Sequence, residues 1–189
     1  MASNTNLLTG LVSTAQITLA GSILLLASAI HLKASFWGAL ESPALIGGAT
    51  VASGIATGLF IAMKKEINSH IMTSKTEGVK VPKDVNFLIY AVGAYTLALS
   101  LALMTAIIPW AGIAGITVAN VLLVIKIIIV TDLPRRFFIL TKDCNIPVSN
   151  AQVIIVLIST ALFIAAVILY GLTIDQNPVG LKPGENSIG

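Results

Sequence analysis

From Phe87 to Val130 the chain runs for 44 residues with a single charge, Lys126, close to the end of the stretch. As one helix at 1.5 Å per residue it would be about 66 Å long, more than twice the ~30 Å of hydrocarbon in a bilayer. The stretch must therefore double back, and it predicts a hairpin of two membrane spans. The turn is expected at Pro109-Trp110-Ala111-Gly112, where proline ends a helix, the indole suits the headgroup layer and glycine gives the backbone freedom.

Composition extends the argument to the whole chain. Of its 189 residues 56% are hydrophobic and only 10% charged, against roughly 25% charged in soluble domains. The net charge of +3 comes from Lys and Arg scattered through short loops, without the dense basic and aromatic clustering of a nucleic-acid binder. A single cysteine, Cys144, excludes an internal disulfide and leaves no cysteine partner for a metal.

Five apolar runs mark an all-α membrane bundle. The first is Leu7 to Ile30, read as a retained span because it lacks the basic n-region of a signal peptide. The others are Ala44 to Met63, Phe87 to Ile108, Ala111 to Val130 and Gln152 to Leu172. Together they make one transmembrane domain over residues 1–174, with 175–189 an irregular extracytoplasmic tail. Between the fourth and fifth spans, Asp-Leu-Pro-Arg-Arg-Phe-Phe at residues 132–138 combines a helix-start signal with paired basic and aromatic side chains. That pattern suits an amphipathic helix at the headgroup boundary.

Lys and Arg divide unequally between the two sides. The connections after the second and fourth spans hold five and three of them, and with Lys126 they account for nine of eleven. The positive-inside rule then puts the N-terminus and these connections in the cytoplasm and the C-terminus outside.

Chemistry is sparse. Ion transport, proton pumping and intramembrane proteolysis need titratable groups at membrane depth. The apolar runs contain no Asp, Glu, Arg or His. Lys126 lies about 9 Å from Asp132 along a helix, so its stem is expected to snorkel to the cytoplasmic headgroups. Arg135 and Arg136 are expected to meet lipid headgroups at the same surface. His31 and His70 fall on opposite sides of the membrane and lack ligand-spaced companions, and no nucleophile or phosphate-binding motif occurs. No catalytic residue, cofactor or metal is therefore expected.

What remains is packing. Thr50, Gly54, Gly58 and Ala62 recur every four residues on the second span, a small-residue ridge with a GxxxG pair that lets another helix approach closely. Gln16 and Asn120 are the most polar groups near mid-membrane, and each amide is expected to tie helices together. The expected function is a non-catalytic accessory or structural subunit of a larger membrane complex, in a cell membrane, with other membrane subunits and lipids as partners. An energy-converting or oxidoreductase complex is the expected class of host. The alternative is a small homo-oligomeric channel or carrier for a neutral solute or lipid, lined by Gln16, Asn120 and the first-span hydroxyls. The lone thiol tests the orientation: an impermeant maleimide should leave Cys144 unlabelled in intact cells and label it after lysis. Labelling from outside would invert the topology.

Overall fold

A computed structural model describes residues 2–73, 81, 83–143 and 146–177. Cys144 and tail residues 178–189 lie outside the described residues. Six α-helices follow in order: α1 Ala2–Leu32, α2 Pro43–Thr73, α3 Lys83–Leu103, α4 Pro109–Thr131, α5 Leu133–Asp143 and α6 Asn150–Gln176. Short 3-10 turns at Trp37–Glu41 and Met104–Ala106 precede α2 and α4. All but α5 are long and apolar enough to cross a membrane, and no strand occurs among the described residues.

The helices outrun the apolar runs that predict them. At 31 residues each, α1 and α2 measure about 46 Å, so their ends project past the hydrocarbon or the helices tilt. The extension of α2 beyond Met63 carries Lys64, Lys65 and Glu66, with Ile67 buried and keeping the helical spacing. The end of α6 likewise runs through residues 175 and 176, expected to belong to the tail.

The hairpin turn falls earlier than its proline suggests. The chain reverses through residues 104–108, and Pro109 stands at the start of α4, where its missing N–H is one the first helical turn leaves unpaired anyway. Trp110 stays exposed. Gly112 is therefore a helix residue. It and Gly115 form the tightest interhelical contact: a Cβ on Gly115 would lie 2.5 Å from the Ala102 amide nitrogen and 2.6 Å from the Ala98 carbonyl oxygen, both α3 backbone. A Cβ on Gly112 would strike Thr105.

Around the bundle the order is α6, α1, α2, α3, α4, each packed on the next, and a lighter contact between α4 and α6 closes the ring. Helix α1 is the most enclosed of the five spans. Its Val12, Ala15, Leu19, Ile23, Leu26 and Ile30 are all buried at helical spacing. It runs parallel to α6, as the pairs Asn6–Gln152 and Gln16–Thr160 require. Amphipathic α5 covers one end of the bundle, burying Leu133, Phe137 and Leu140.

Two glycines separate packing from open surface. Gly115→Ala should cost about 1–3 kcal/mol, because the α3 backbone has to move. Nothing lies within 4 Å of a Cβ at Gly58, so Gly58→Ala should be neutral or stabilise by up to about 1 kcal/mol through helix propensity. Thermal unfolding of the two variants in detergent measures both.

Candidate functional site: a buried lysine in a ring of polar ties

Each helix contact carries a polar link, and the links lie at different depths. Between α1 and α6, Gln16 is fully enclosed: its Nε2 donates to Thr160 Oγ1 at 2.7 Å and its Oε1 accepts from Ser159 Oγ. Ser22 of α1 donates to the Ala49 carbonyl of α2 at 2.7 Å. Ser53 of α2 meets Thr96 of α3, the two hydroxyl oxygens 2.8 Å apart. On the last side Tyr170 of α6 donates to Asn120 Oδ1 of α4, while Asn120 Nδ2 donates to the Ile116 carbonyl of its own helix at 2.7 Å.

Gln16 and Asn120 thus face the interior of one chain and bind its helices to each other. Their partners were not legible from spacing. Ser159, Thr160 and Tyr170 stand about 50 to 144 residues away in sequence.

Lys126 departs from expectation. It does not reach the headgroups: its side chain is 0% exposed, and Nζ sits 3.0 Å from the centroid of the Tyr95 ring. Helix direction explains the difference. The Cα–Cβ bond tilts toward a helix's N-terminus, so the stem is aimed back toward the Pro109 end of α4, away from the nearer surface beyond Thr131. The interior therefore does hold one titratable cation. Among the described residues no hydrogen bond or carboxylate meets it, and the face of the ring is what opposes its charge.

Tyr95 had no sequence signal beyond being an aromatic hydroxyl in the middle of an apolar run. Its ring is fully buried in α3. Its hydroxyl stands beside Ser22 without closing a hydrogen bond of normal geometry, and the Ser22 hydroxyl donates to the Ala49 carbonyl. Ser13 Oγ is the third buried polar atom without a partner among the described residues.

The small-residue ridge of α2 divides. Gly54 faces α3, where a Cβ would lie 3.7 Å from Thr96 Cγ2, and across the same contact a Cβ on Gly93 would lie 3.7 Å from Thr57 Cγ2. Thr50 bonds the Ile46 carbonyl within its own helix, Ala62 is half-buried and Gly58 is exposed. A closer approach of two helices lies at Gly115, against the α3 backbone.

At the α5 end the paired arginines have different surroundings. Arg136 bridges Asp132, at 2.8 Å, and Asp84 of α3. Arg135 is exposed, with no ion pair among the described residues. No cluster of three or more His, Cys, Asp or Glu suited to a metal occurs among the described residues.

No protein family, curated protein or solved structure matches this chain, so function has to be argued from the geometry.

A double-mutant cycle measures the Lys126–Tyr95 contact. Lys126→Met, of similar length and without charge, should hold or raise stability, because apolar replacement of a buried charge is commonly neutral or stabilising by about 1–4 kcal/mol. Tyr95→Leu should cost about 2 kcal/mol more in the native background than beside Met, the worth of a desolvated cation–π contact. Equal losses in the two backgrounds would show that the ring does not hold the ammonium.

Proposed function

We propose that this chain is a non-catalytic accessory subunit of a larger multi-subunit complex in a cell membrane, energy-converting or oxidoreductase complexes being the class of host. The observation that carries the reading is that the amides and several of the hydroxyls at membrane depth are engaged inside the chain. Gln16, Ser22, Ser53 and Asn120 each bond a neighbouring helix, and Lys126 is sealed from solvent. A molecule whose interior is closed and whose exterior is apolar has helix packing as its main means of acting on others.

The outer face of α2 supports the reading further. Only 28% of its apolar stretch is buried, the least of the five spans, against 56% for α1. Gly58 sits there with no neighbour at its Cβ position, flanked by exposed Val51, Ile55 and Ile61. A glycine facing lipid gains nothing from lipid, whereas a second helix can use the space.

The test pairs assembly with stability. In a mild detergent extract on a native gel, the chain should migrate with unlike subunits. Gly58→Ile should release it from them while its own thermal unfolding stays within about 0.5 kcal/mol of the native chain. Migration as a homo-oligomer, unchanged by Gly58→Ile, would reject the subunit reading.

A second reading, the channel or carrier, takes its support from Lys126. An enclosed cation without a carboxylate is the kind of group that marks solute or ion paths in membrane proteins. Purified protein in liposomes should then pass a neutral solute, and Lys126→Met should abolish the flux without loss of fold. Against this reading, Gln16 and Asn120 are bonded to other helices of the same chain.

A further inference from the structure

We infer that the groove between α5 and α6 holds one anionic phospholipid, its phosphate on Arg135 and an acyl chain along α6. This inference goes beyond the subunit reading and does not depend on it.

The groove is open, with a volume of about 640 Å³. Arg135, Phe138 and Ile139 line it from α5, and Leu157, Ala161 and Ile164 from α6. From Leu157 to Ile164 it follows α6 for about 10 Å, which carries it from the level of α5 into the apolar part of the span. Its wall is mostly hydrocarbon, with Thr131 and Thr160 as the hydroxyl-bearing members, and among the described residues the one charged lining residue is Arg135, on the short helix that caps this end of the bundle. A groove that is mostly apolar along α6 and cationic at its mouth has the polarity of an amphiphile with an acidic head.

The charge balance at this end separates anionic from zwitterionic lipids. The carboxylates of Asp84 and Asp132 are bound to Arg136, and among the described residues no carboxylate lines the groove. Among the described residues Arg135 makes no ion pair, and the planar donors of its guanidinium match phosphate oxygens. An acidic headgroup supplies the missing charge. A choline headgroup would bring its own cation to a place with no free anion to receive it.

The experiment is native mass spectrometry of the purified full chain in detergent, titrated with dioleoyl phosphatidylglycerol or dioleoyl phosphatidylcholine. One phosphatidylglycerol per chain should be retained, with about fivefold preference over phosphatidylcholine, the ratio one basic group at a membrane surface supports. Arg135→Gln should bring the ratio near one, and Arg135→Lys should keep most of it. Lys142→Gln removes the same charge from exposed α5 surface outside the groove and should leave the preference unchanged. Ala161→Phe, at an exposed position where added bulk does not disturb the core, should fill the groove and lower retention of both lipids. The inference is overturned if Arg135→Gln keeps the preference, if Lys142→Gln lowers it equally, or if Ala161→Phe leaves retention unchanged.

Discussion

Hydrocarbon offers no hydrogen bonds, and the arrangement of this bundle follows from that fact. A polar side chain that enters the membrane is stabilised by a partner on protein, and most of those in this bundle have one. The serines and threonines partly satisfy themselves by donating to the carbonyl one turn back, as Thr9, Ser28, Ser100 and Thr117 do. Groups that reach across to another helix fix its position. Gln16 holds α6 against α1, Ser22 holds α2, Ser53 and Thr96 join α2 to α3, and Asn120 with Tyr170 closes the ring. Interhelical bonds of this kind are each worth about 0.6 to 2 kcal/mol, so no one of them decides the fold. Distributed over successive interfaces, they select one order of helices among the many that apolar surfaces alone would tolerate.

The contact of α3 with α4 is of another type. Its side-chain polar link is the ammonium of Lys126 over the Tyr95 ring, and its closeness comes from Gly115, where the α3 backbone occupies the space of the missing Cβ, with Thr105 of the preceding turn filling the space at Gly112. The two features support each other. Close backbones bring the Tyr95 ring within reach of the lysine stem, and the stem is aimed inward because α4 runs toward the basic end of the bundle. A lysine at the same depth on a helix of opposite direction would have its stem tilted toward the surface. This contact also carries the molecule's least compensated group, which is why two functional readings meet here. A sealed cation is a structural link in a packing subunit and a working group in a carrier, and the outer surface of α2 favours the first.

At the basic end, α5 converts a chain reversal into a surface with two different sides. One side buries Leu133, Phe137 and Leu140 and sets Arg136 between two carboxylates. The other sets Arg135, without an ion pair among the described residues, above a mostly apolar groove. Adjacent arginines that look equivalent in sequence acquire distinct chemistry because neighbouring positions on a helix point about 100° apart.

The sequence by itself determined the class of molecule. Apolar length forced five spans, the 44-residue stretch from Phe87 forced a hairpin, and the Arg-Arg-Phe-Phe pair marked a short amphipathic helix. Each of these depends on local length and composition against a solvent of known thickness. Tertiary structure alone decided which groups meet. Pro109 reads equally as a stop or a start until the preceding turn is seen, and Gly112 reads as a turn residue until Thr105 of that turn is found lying against it. The enclosure of Lys126 depends on helix direction and on a tyrosine 31 residues away in sequence. Contacts between helices depend on azimuth and crossing, and apolar periodicity is nearly silent on both when lipid and protein neighbours are equally oily.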